Sequence, residues 1–107
     1  MPHYLFQVSY TTEGVANLVR SPQNRFEVVR PVVERLGGRV TGNWFSFGDY
    51  DVVLIAEMPD NTAAVSFAMA VSAGGAVRAC KTTPLLTGEE AIEAMKKAGT
   101  AGYQPPR

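Results

Sequence analysis

The chain has 107 residues, 46% of them apolar and 19% charged, which suits one folded domain with a modest core and argues against disorder. Ten basic side chains balance ten acidic ones, so no electrostatic pull toward nucleic acid or an anionic lipid surface is expected.

His3 to Tyr10 (HYLFQVSY) alternates, with Tyr4, Phe6, Val8 and Tyr10 on one side and His3, Leu5, Gln7 and Ser9 on the other, which predicts a strand with one aromatic face. Thr11 to Arg20 opens as a helical turn. Ser21-Pro22 reads as an N-cap followed by proline at the first helical position, and Phe26, Val29, Val33 and Leu36 then recur at helical spacing as far as Gly37-Gly38. Pro31 falls inside that helix and predicts a kink, because it cannot donate a backbone hydrogen bond. Arg39 to Phe47 and Asp51 to Met58 read as the second and third strands, joined by a hairpin at Gly48 to Tyr50. Pro59-Asp60-Asn61 stops the third strand. Asp60 can cap a helix to about Ala73, with Ala64, Phe67, Ala68 and Val71 on one face and Gly74-Gly75 at its end. Val77 to Leu86 is a fourth strand. Thr87-Gly88-Glu89-Glu90 has the spacing of a capping box and opens a last helix to about Ala98. Residues 1–98 thus make one domain, and 99–107 a tail.

The order β-α-β-β-α-β with a terminal helix predicts an α+β, ferredoxin-like fold: a four-stranded antiparallel sheet with helices on one face. In the third strand Val52, Leu54 and Ala56 point one way, and Val53 and Ile55 the other. A strand apolar on both faces wants both covered, and each buried Val or Ile is worth ~1.5–3 kcal/mol. One set of helices covers one face, so Val53 and Ile55 are expected at an interface of a homo-oligomer, at least a dimer.

The run Gly48-Asp49-Tyr50-Asp51-Val52-Val53, a glycine and a Tyr-Asp pair leading into an apolar strand, resembles the signature of the GYD-domain family of small bacterial proteins. The resemblance extends from Tyr4 to about Met95, through Leu36-Gly37-Gly38-Arg39 and the Pro59-Asp60 helix start. It implies a ferredoxin-like fold of the dimeric α+β barrel type and brings no activity with it. The run from Gly48 through Val77 to Leu86 is also similar to the ligand-sensing domain of the Lrp/AsnC transcription regulators, which oligomerise and bind amino acids near this hairpin. That similarity implies Gly48, Asp49, Tyr50 and Asp51 as ligand-binding residues. The DNA-reading helices that precede the sensor in those regulators are absent here and the charge is neutral, so no stand-alone DNA-binding role is expected.

The hairpin has two readings. Gly48 can take a positive φ, the carboxylates of Asp49 and Asp51 can hold an ammonium group, and Tyr50 offers a flat face with a hydroxyl, which suits a small polar ligand. Alternatively Gly-Asp makes the turn, Tyr50 packs, and Asp51 bonds nearby amides. His3, Gln7, Ser9 and Glu57, with Asp51, are the polar residues available to line a sheet-side cavity, which a cofactor-free isomerase or monooxygenase of the α+β barrel type would need. No catalytic residue is assigned.

No metal site or cofactor is expected, since one His, one Cys and scattered carboxylates lack ligand spacing. Cys80 cannot pair internally. In the predicted fold it also lies opposite Val8 to Tyr10, some five residues or roughly 16 Å from His3, so it reads as a packed residue and not a nucleophile. Trp44, Phe45 and Phe47 have no basic groove beside them and read as core or interface, while Arg78 and Lys81 read as interface or rim charges and not as anion ligands. No apolar run reaches the ~20 residues of a membrane span, and Met1-Pro2-His3-Tyr4 lacks a secretion signal's layout. With the single cysteine, these features make a cytoplasmic protein the expectation.

Overall fold

β1 (His3–Tyr10) takes an inner place in the sheet, because alternate residues are apolar enough to be covered. The computed structural model describes residues 1–107. After β1 come α1 (Thr12–Arg20), α2 (Phe26–Arg35), β2 (Arg39–Phe45), β3 (Val52–Glu57), α3 (Asn61–Ala73), β4 (Val77–Leu85) and α4 (Gly88–Gly99). The strands form one antiparallel sheet in the order β2-β3-β1-β4, the expected α+β arrangement.

Register decides which side chains share a face. Leu5 lies opposite Ile55 and Gln7 opposite Val53, while on the other flank Leu5 meets Thr83 and Gln7 meets Lys81. Tyr4, Phe6, Val8, Val52, Leu54, Ala56 and Met58 therefore turn to the opposite side, where they are buried with Phe26 and Val33 of α2 and Ala64 and Phe67 of α3. The Phe6 and Phe67 rings meet edge to face, with centroids 4.8 Å apart. The Tyr4 hydroxyl donates to Asn61 Oδ1 at 2.5 Å, which ties the start of α3 to the central strand.

The first helical segment differs from expectation. Thr11 caps it, its hydroxyl accepting from the Gly14 amide at 3.0 Å, and the turn continues into the nine residues of α1. Ser21 closes α1, its amide donating to the Asn17 carbonyl at 2.9 Å, and does not open α2. Asn24 does that work instead: its side chain accepts from the Phe26 amide at 3.0 Å and its carbonyl from the Glu27 amide at 3.2 Å. Pro22 lies in the connecting loop. α2 then runs through Pro31, which is exposed.

β2 and β3 end short of the hairpin, because Ser46 closes a wider loop. Its amide donates to the Asp51 carbonyl at 2.8 Å and its hydroxyl to the Tyr50 carbonyl at 2.7 Å. Asp60 caps α3 as expected, accepting from the Ala63 amide at 2.9 Å, and Thr87 and Glu90 form the capping box of α4. None of α4 is buried, and it stands away from the sheet. The radius of gyration is 17.1 Å, against about 13 Å for a compact domain of this length, and the projecting helix accounts for the excess.

Where α2 meets β2, Gly38 is packed so closely that an added Cβ would lie 2.5 Å from the Glu57 carbonyl and collide with the Met58 sulfur. Gly38→Ala is expected to cost about 1–3 kcal/mol in urea unfolding, since backbone and not a flexible tip must move. A neutral result would mean that β2 and β3 are less tightly joined than their register indicates.

Candidate functional site

The hairpin is tied down chiefly by β1. Asp51 donates its amide to the Val8 carbonyl at 2.8 Å, and its Oδ2 accepts from the Tyr10 amide at 2.8 Å. The Ser9 hydroxyl donates to the Asp49 carbonyl at 2.6 Å, which leaves Ser9 buried although it sits among polar positions. Gly48 has φ 127°, the positive value expected of it, with open space around its Cα. Asp51 therefore works as a clip between the hairpin and β1. Gly48 and Asp49 are exposed and Tyr50 is half-buried, and the amides of Gly48, Asp49 and Tyr50 have no partner within the chain.

The other polar candidates lie on the helix-free face. His3 Nε2 stands 3.4 Å from Glu57 Oε1, and Arg39 pairs with Glu57 Oε2 at 2.5 Å. The Glu57 carboxyl is held below its usual range, first by hydrogen bonding from Arg39 and then by the Arg39 and His3 charges. Gln7 sits between Val53 and Lys81 in the same layer. His3, Gln7, Ser9 and Glu57 thus share one face, spread along the strands, with His3 and Glu57 in contact. Cys80 lies opposite Val8, and Leu85 opposite His3, as the fold required. Burial pushes the Cys80 thiol above its ordinary value, which suits a packed residue. No three His, Cys, Asp or Glu side chains converge.

A cavity of about 390 Å³ opens on the opposite side, between the sheet and helices α1 to α3. α2 packs over β2 and α3 over β4, and the space between them over β1 and β3 is left unfilled. Its wall is mostly apolar, with Val32, Leu54, Phe67 and Val71 among it, and its polar members are Tyr10, Asn17, Gln23 and Arg25. A register shift at Ser9/Tyr10 pairs Tyr10 with Val77 and re-aims the end of β1 toward this space. Burial pushes the Tyr10 phenol above its ordinary value; the Arg25 guanidinium beside it pulls the other way, and the Asp51 carboxylate adds to the rise. Arg25 Nη1 donates to Gln23 Oε1 at 2.8 Å, and no carboxylate lies within ion-pairing distance of it.

None of Gly48, Asp49, Tyr50, Asp51, His3, Gln7, Ser9 or Glu57 lines this cavity. Sequence reasoning missed it, together with Arg25, because a helix starting at Pro22 puts Arg25 on a helical face. The signal available was an arginine at the end of the polar loop Ser21 to Arg25, directly before the first apolar residue of the helix, Phe26.

The GYD-domain family profile matches residues 4–95. No curated protein matches the chain in sequence. Among solved structures, the Thermus thermophilus protein TTHA0845 superposes with a TM-score of 0.55 at 12% identity, covering 82% of this chain and 96% of its own. An uncharacterized NIPSNAP domain protein from Burkholderia xenovorans gives a TM-score of 0.49 at 11% identity, covering 99% and 100%. At such identity the first match speaks for the fold alone. No helix is long and apolar enough to cross a membrane.

Proposed function

The chain belongs to the GYD-domain family, and from that premise we propose that it works as a self-assembling module, two copies meeting through the helix-free faces of their sheets. The observation that carries this reading is the face itself: Leu5, Val53 and Ile55 lie side by side across β1 and β3 with no element of the chain over them. Trp44 extends the row onto β2, opposite Val53, and is 57% exposed. Gly42 leaves room for its indole, since an added Cβ would lie 2.6 Å from the ring. Phe47, at the hairpin, is 99% exposed.

A second unpartnered surface supports the same occupant. α4 carries Ile92 and Met95, 53% and 68% exposed, on a helix that no other part of the chain covers. Its twelve residues span about 18 Å. The four strands span about 14 Å from first to last, so one α4 is long enough to lie across another copy's sheet edge. With the two sheet faces against each other and each α4 along the partner's sheet edge, a twofold pair covers both surfaces. The hairpin borders this interface, where the free amides of Gly48, Asp49 and Tyr50 would meet a small polar ligand held between copies.

Trp44, the sole tryptophan, reports on the face directly. Its emission is expected to lie toward the blue at tens of micromolar protein and to move red as dilution separates the copies. Red emission unchanged across the whole dilution series would overturn the reading.

A further inference from the structure

We propose that the cavity between the sheet and helices α1 to α3 is a binding site for a small apolar carboxylic acid, its hydrocarbon part lying among Val32, Leu54, Phe67 and Val71 and its carboxylate on Arg25 beside the Tyr10 hydroxyl. The volume of about 390 Å³ falls in the range of small-molecule pockets, and an apolar wall with a few polar groups at one end is how such pockets are built. The charge at that end is what selects the ligand. Arg25 is half-buried, and its side-chain partners, Gln23 and the Tyr10 hydroxyl, are both neutral. A partly desolvated guanidinium without a counter-ion gains most from an anion, and its planar fork matches the two oxygens of a carboxylate.

Tyr10 adds a second donor. A phenol of ordinary acidity is already protonated at neutral pH, and burial pushes Tyr10 further in the same direction, so its O–H is available to a ligand oxygen. The other polar lining groups, Asn17 and Gln23, are neutral, and no acid lines the cavity. Asp51 is engaged by the Tyr10 amide and lies outside the lining. An ammonium group therefore has no carboxylate inside to receive it, which favours a monocarboxylate over an amino acid or an amine. The site lies on the opposite side of the sheet from the assembly surface, so either proposal can fail without the other.

The test is titration calorimetry of the full chain with octanoate, 1-octanol and octylamine. Octanoate is expected to saturate one site, binding about tenfold or more tightly than 1-octanol, the margin of a charge-assisted hydrogen bond, with octylamine weaker than either. Arg25→Gln is expected to abolish the preference for octanoate while 1-octanol binds as before, and Arg25→Lys to restore part of it. Ala70→Trp, placed on the exposed side of α3 at the cavity wall, is expected to remove both ligands. Arg25 precedes α2 and Ala70 is exposed, so these changes leave the buried core in place. Equal affinity of the parent chain for octanoate and 1-octanol overturns the proposal, as does binding of neither, or an octanoate preference that survives Arg25→Gln.

Discussion

Phe6→Ala is expected to cost about 4 kcal/mol, near the middle of the range for emptying a buried phenylalanine site. Phe6 is 0% exposed, sits on an inner strand with β3 and β4 on its flanks, and touches the Phe67 ring with centroids 4.8 Å apart. The surrounding backbone is held by strand pairing on both sides, so the site cannot collapse onto the space left behind. Whole domains of this size are stable by only about 5–15 kcal/mol, so the variant should lose between roughly a quarter and four-fifths of the parent's margin. Thermal unfolding should show it as a fall in Tm of roughly 15–30 °C. Phe67→Ala should cost less, because one side of that ring already borders the cavity and has fewer neighbours to lose. Equal costs would mean that the cavity closes in solution, and a Phe6→Ala cost under about 1 kcal/mol would mean that the core is not centred on β1.

Ile55→Asp is expected to separate the copies while leaving each one folded. Ile55 is half-exposed on the helix-free face of β3, opposite Leu5, so within a single copy the new carboxylate stays in reach of water. The intramolecular cost is then mainly the poor strand preference of aspartate, about 1 kcal/mol. In a twofold pair the same position occurs twice and both carboxylates lose their water without a partner. At about 3 kcal/mol for each, the dissociation constant rises roughly ten-thousandfold. Sedimentation velocity should therefore give one small species whose far-ultraviolet circular dichroism matches the parent. A variant that remains paired would place the contact elsewhere, and one that unfolds would show that Ile55 belongs to the monomer's own core.

The parts of the fold that were legible in the sequence are those set by local pattern. The alternation of Tyr4, Phe6 and Val8 identifies β1 and its buried side, and Asp60, Thr87 and Glu90 cap the helices that their spacing announces. The start of α2 was misread because Ser21-Pro22 has cap chemistry, and only the structure shows Ser21 finishing α1 while Asn24 opens α2. The full length of α1 escaped although Val15, Leu18 and Val19 recur at helical spacing, because the stripe is short and Ser21-Pro22 drew the helix start downstream. The hairpin motif was visible, but its role as a clip depends on Ser9 and Tyr10, about forty positions earlier in the chain, and no local pattern reports that. The cavity was invisible for a deeper reason. It is the space left where α2 covers β2 and α3 covers β4, a property of how elements are spaced and not of any segment. Arg25 acquires meaning only once that space is known.

The central claim, that the uncovered sheet face is closed by a second copy, is tested most directly by the mass of the unmodified chain in solution. Multi-angle light scattering across a micromolar concentration series should give twice the 11.5 kDa of one chain, falling toward the single-chain value only on dilution. A constant 11.5 kDa at every concentration would contradict the account, because Val53, Ile55 and Trp44 would then face water in the working protein.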